Sequence, residues 1–96
     1  MKIYLTDNAE THIANGINFY ESQKEGLGNY FLDTVSSDIE SLHIYYGIHI
    51  KIKNYERVLS KRFPYAIYYR YDETTIYIYA VLDCRQNPDI IKGQLK

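Results

Sequence analysis

Apolar residues recur at steps of four and three through the first half of the chain, and at steps of two through the second. Ala9, Ile13, Ile17 and Tyr20 form one stripe, which predicts a helix with a single buried face. Asp7 is placed to cap its free N–H groups, with Glu10 three residues on able to reach back. Gly26 and Gly28 supply a stop and a turn. Phe31, Val35, Ile39 and Leu42 repeat the stripe, which predicts a second helix over residues 29–44 and hence a helical hairpin.

From Gly47 the period falls to two. Ile48, Ile50 and Ile52 alternate with His49, Lys51 and Lys53, and Tyr55 to Leu59 alternates less cleanly. Lys61-Arg62-Phe63-Pro64 reads as a turn, because proline removes a ladder donor and restrains the residue before it. Tyr65 to Tyr71 and Thr75 to Leu82 are strong strands separated by Asp72-Glu73-Thr74. The second holds hardly a polar residue, as expected of a strand covered on both faces. Ile3 to Leu5 opens the chain as a short strand, and Asn87-Pro88 starts a last short helix. Helices followed by grouped strands predict one α+β domain over residues 1–96: an N-terminal helical hairpin packed on a twisted, mainly antiparallel sheet of four to five strands.

Composition narrows the function. An apolar share of 46% excludes a disordered chain, and twelve tyrosines without a tryptophan suit sheets and interfaces. The net charge of −1 hides an asymmetry: residues 1–47 carry two bases against seven acids, and residues 48–96 nine bases against five acids. The basic half suits an anionic partner. A single cysteine, Cys84, excludes an intramolecular disulfide, and the expectation is a buried or half-buried strand residue without a catalytic histidine beside it. No apolar run reaches the length of a membrane span, and Met-Lys-Ile-Tyr-Leu lacks a leader pattern, so a cytoplasmic protein away from membranes is expected. His12, His43 and His49 lie in different elements with no zinc-like spacing. No metal or other cofactor is expected, and His12 and His43 are expected on helix surfaces.

Three segments together resemble the RelE/ParE superfamily of toxins. Phe63-Pro64-Tyr65-Ala66-Ile67-Tyr68-Tyr69 is similar to the family's FPY strand. Ala80-Val81-Leu82-Asp83-Cys84-Arg85-Gln86-Asn87-Pro88 resembles its ending, and Tyr20-Glu21-Ser22-Gln23-Lys24-Glu25-Gly26-Leu27-Gly28-Asn29-Tyr30-Phe31 its helix turn. The resemblance implies the toxin of a type II toxin–antitoxin (plasmid stabilisation) module, neutralised by a cognate antitoxin. It implies one of two targets: DNA gyrase for ParE-like members, or messenger RNA on the ribosome for RelE-like members, which are metal-independent endoribonucleases.

This chain departs from the RelE-like pattern. No tyrosine, histidine or glutamate follows Arg85, Ala66 stands where RelE-like members tend to carry arginine, and Asp83 where many relatives carry histidine. These departures favour a ParE-like binder over an enzyme. A decayed member that binds only its antitoxin is the third reading. Lys51, Lys53, Arg57, Lys61, Arg62 and Arg85 are the candidate target-binding patch, with Arg57, Lys61 and Arg85 as the catalytic candidates of the nuclease reading. Lys51, Lys53 and Arg57 share one face if the alternation runs unbroken; a solvated edge whose lysines discourage strand pairing is the plain alternative. Tyr65, Tyr69, Tyr77 and Tyr79 are the candidate antitoxin groove.

Overall fold

A computed structural model describes residues 1–95 as β1 (Lys2–Leu5), α1 (Asp7–Gln23), α2 (Leu27–Glu40), α3 (Leu42–Tyr45), β2 (Ile50–Ile52), β3 (Tyr55–Leu59), β4 (Tyr65–Tyr71), β5 (Thr75–Asp83) and α4 (Pro88–Gln94). The strands form one open sheet in the order β1-β5-β4-β3-β2, with β1 parallel to β5 and every other pair antiparallel.

The cap of α1 is Thr6 rather than Asp7. Its backbone N–H donates to Ile78 O at 3.0 Å, extending the β1 ladder by one residue, and its Oγ1 accepts from Ala9 N at 3.2 Å. Asp7 and Glu10 therefore lie in the first turn, where carboxylates favour the positive end of the helix. The hairpin turn has a specific clamp. The Glu21 carboxylate accepts from Gly26 N at 3.0 Å and from Gly28 N at 2.9 Å, satisfying N–H groups at the start of α2 that lack a helical partner. Gly26 sits at φ 88°, and a Cβ on Gly28 would stand 2.8 Å from Ile17 O. The spacing of glutamate and glycines in this segment thus has a local physical cause.

The second helix is shorter than its stripe. It ends at Glu40, and Leu42–Tyr45 forms a separate turn. Ser41 is the joint: its hydroxyl donates to Asp38 O at 2.6 Å, competing with the backbone for that carbonyl. Leu42 still reaches the core. The alternation after Gly47 yields only the three-residue edge strand β2. Ile48 and Ile50 are 72% and 57% exposed, so this alternation does not mark a buried face.

The sheet is covered on both sides. On one, α1, α2 and α3 bury Ala9, Ile13, Tyr20, Phe31, Val35, Ile39 and Leu42 against Tyr65, Ile67, Tyr69, Ile76, Ile78 and Val81. On the other, α4 and the residue after it lay Ile91 and Leu95 on Tyr55, Ala66, Tyr68, Ala80 and Leu82. The register slips between Tyr68 and Tyr69, whose partners are Ala80 and Ile78, so Tyr79 is an extra residue. That bulge lets Ile78 and Val81 both face the helical hairpin.

Candidate functional site

The six candidate bases do not form one patch. Lys53 and Asn54 make a two-residue turn that pairs Ile52 with Tyr55, Lys51 with Glu56 and Ile50 with Arg57. Chain reversal breaks the parity count, so Lys51 shares a face with Glu56 on the hairpin side, while Arg57 faces α4. Lys53 is at φ 57°, and its Nζ donates to Lys92 O and Leu95 O, both at 3.0 Å. It thereby satisfies carbonyls at the end of α4, a structural use of its charge.

Lys61 and Arg62 are exposed on the β3–β4 turn, at the opposite end of the sheet, and Arg85 lies just beyond β5 at that same end. Arg85 is forked onto Asp83: Nη2 to Oδ2 at 2.7 Å and Nε to Oδ1 at 3.0 Å. Hydrogen bonds from Arg85 hold the Asp83 carboxyl below its ordinary range and raise the guanidinium further. Tyr20 and Tyr65 stand beside this pair. Burial raises both phenols, Tyr65 to about 12, so both stay protonated at neutral pH. Protonated phenols and an ion-paired arginine make an ordered surface for binding and a poor source of a general base.

The four candidate groove tyrosines divide between the two faces. Tyr65 and Tyr69 are buried in the hairpin-side core, Tyr69 fully, because positions 65, 67 and 69 face the hairpin; Tyr77 and Tyr79 are half-buried on the other face. They line no common groove. The Tyr69 hydroxyl instead joins a buried network: it donates to Glu56 Oε1 at 3.0 Å, accepts from Gly47 N at 3.1 Å and meets His49 Nδ1.

Two features lay outside the sequence expectations. An apolar groove of ≈ 430 Å³ runs between β1, α1 and α2, lined by Ile3, Leu5, Ile13, Ile17, Leu32 and Ile39 among others. Its sequence signal was Leu32, an apolar residue beside the Phe31 stripe rather than on it. The second is a row on the open part of the far face. Tyr4 pairs with Tyr77, Tyr77 with Arg70, and the Arg70 guanidinium sits 4.2 Å from the centre of the Tyr55 ring. Arg70 is the one charged residue in β4, which was its signal.

Cys84 is an exposed residue just beyond β5 rather than buried or half-buried in a strand; desolvation of its thiol still pushes its pKa up. Among the described residues, no group of three or more metal-ligating side chains comes together. His12 is half-buried rather than on the surface. β1 covers the edge of β5 only as far as Ile78, and His12 Nδ1 accepts from Val81 N at 3.2 Å beyond that point. Burial lowers its pKa below 6.5. The folded chain therefore resists a proton that the unfolded chain takes up, and stability present above pH 6.5 is lost as pH falls below it. Urea melts at neutral and mildly acidic pH are expected to show this loss, and to show less of it in His12→Gln. An equal slope in both proteins removes His12 from the account.

No family model matches the chain, and no curated protein matches it. The fold does have solved counterparts. One is a chain of the chromosomal ParDE TA system from P. aeruginosa, with a TM-score of 0.69 at 14% identity, covering 84% of this chain and 92% of that one. No helix of the described residues is long and apolar enough to cross a membrane. The helical hairpin on a five-stranded, mainly antiparallel sheet is thus a ParE-like fold.

Proposed function

We propose that the chain is the toxin of a type II toxin–antitoxin module, held inactive by a cognate antitoxin. It is ParE-like and acts by binding a large cellular target, with DNA gyrase the favoured one. The observation that carries this reading is the likeness of fold to a chain of a ParDE system over most of both chains. The dispersal of the basic residues favours binding over catalysis. Metal-free RNA cleavage needs cations and a proton carrier converging on one phosphate. Here Lys53 is held at α4, Lys51 faces the hairpin side and Arg85 is paired with Asp83.

Lys61 and Arg62 remain as exposed cations on a loop tip, the best-placed residues to meet an anionic surface of the target. The apolar groove between α1, α2 and β1 replaces the tyrosine groove as the antitoxin seat, because it is open and its lining suits an amphipathic helix. Expression without antitoxin is expected to arrest growth. The purified protein is expected to block DNA supercoiling by gyrase, and Lys61→Glu with Arg62→Glu to relieve the block by about tenfold in concentration. Full supercoiling in the presence of excess protein sinks the gyrase target. Codon-level cleavage on ribosomes moves the reading to the nuclease.

A further inference from the structure

The far face of the sheet holds a small cavity that neither the fold nor the proposed function uses. It measures ≈ 250 Å³ and lies between α4 and strands β2 to β4, with Ile52, Arg57, Tyr68, Pro88, Ile91 and Lys92 in its wall. Arg57 stands there because the β2–β3 register points it at α4 rather than at the hairpin. Its Nε atom is buried and has no hydrogen-bond partner among the described residues. A donor left without an acceptor is unfavourable inside a fold, so the Arg57 guanidinium has spare donor capacity at this wall. The Tyr68 hydroxyl lies beside the same guanidinium. Lys92 adds a second cation, and among the described residues no carboxylate belongs to the wall. The rest of the wall is hydrocarbon from Ile52, Pro88 and Ile91, together with Cys84 and Gln86.

We infer that this cavity binds a small organic anion: a carboxylate carried on a short apolar body, its oxygens on Arg57 and Lys92 and its body against Ile52, Pro88 and Ile91. Two features select that chemistry. The two cations demand an oxyanion, and a guanidinium offers it paired N–H donors. The apolar walls reward a hydrocarbon attached to it, which inorganic anions lack. The volume is below the ~300–1,000 Å³ of sites for drug-sized ligands, so a single ring or one side chain is the suitable scale. α4 contributes Pro88, Ile91 and Lys92, so the site exists only while α4 is docked.

Benzoate serves as the probe, with inorganic phosphate and benzyl alcohol as its two halves. In nitrogen-15 spectra of the intact protein, the Arg57 Nε–H signal is expected to move saturably with benzoate. Phosphate and benzyl alcohol are each expected to bind about tenfold more weakly, since each keeps one half of the recognition. Arg57→Gln is expected to lose about tenfold in benzoate affinity, as the loss of a charge-assisted contact implies. Lys92→Ala is expected to weaken binding severalfold while leaving the Lys53 hydrogen bond intact, because that bond goes to the main chain. A stationary Nε–H signal overturns the proposal, as does an equal response to benzyl alcohol. Should Arg57→Gln fail to fold, the wild-type signal and Lys92→Ala decide alone, and unchanged affinity in Lys92→Ala counts as refutation. None of these readouts depends on the toxin reading, so the two can fail separately.

Discussion

Phe31→Ala is expected to lower the folding free energy by about 3–5 kcal/mol, the cost of emptying a fully packed aromatic site. The ring is completely buried, with the Tyr20, Phe63 and Tyr65 ring centres 5.1, 5.1 and 4.9 Å away. Beneath it lies Gly16, where even a methyl carbon would stand 2.5 Å from two ring atoms. The glycine leaves no side chain to swing into the void, and the Glu21 clamp holds the two helices at their spacing. Small domains have only ~5–15 kcal/mol in hand, so the variant is expected near the edge of folding. Its thermal midpoint is expected to fall by roughly 12 °C or more. Adding Gly16→Ala destabilises the wild type by overpacking, by about 1–3 kcal/mol. In the Phe31→Ala background the same methyl group enters the empty space and is expected to restore stability. Chemical melts of the four proteins test this as a cycle. Additive losses would show that the two residues do not share the site as described.

Tyr69→Phe is the second large effect, expected to cost about 3 kcal/mol although it removes a single oxygen. That oxygen has three partners: Glu56, Gly47 N and the His49 ring. Tyr69 is fully buried and Glu56 nearly so, so the groups left behind are far from water. Among the described residues, the Glu56 carboxylate then retains only the main-chain N–H of His49, at 3.2 Å. The network ties residues 47–49 to the sheet, so its loss is expected to loosen the connector and β2 ahead of the helices. Hydrogen exchange reads this directly, with amides of residues 47–52 exchanging faster while those of α1 and α2 follow the global change. Burial holds the Tyr69 phenol above its ordinary 10.0. The wild type therefore keeps this contribution below that pH and loses it above, where the unfolded chain gives up its proton more readily. Exchange of β2 amides that is unchanged in Tyr69→Phe would falsify the account of the network.

Sequence reasoning went furthest where one element carries its own signal. The stripes Ala9-Ile13-Ile17-Tyr20 and Phe31-Val35-Ile39-Leu42, the glycine turn between them, and the two long strands stand as expected, save that Ser41 breaks the second helix before Leu42, because periodicity records which side of an element is dry. The α+β order followed, since two one-sided helices need a sheet to cover. What periodicity cannot record is the relation between elements. Lys51 and Arg57 fall on opposite faces because a turn reverses the chain between them. Ile48 and Ile50 alternate in good order yet lie at an uncovered edge. Tyr65 and Tyr69 could be told from Tyr77 and Tyr79 only once the bulge and the docking side of the hairpin were known. The cationic cavity under α4 is the extreme case. It is assembled from β2, β3, β4 and the C-terminal helix, and residues forty positions apart, Ile52 and Lys92, share its wall. Local pattern thus determined what each segment is. Long-range packing decided which charges and hydroxyls meet, because the energy of burying or pairing them depends on neighbours that only the folded chain brings together.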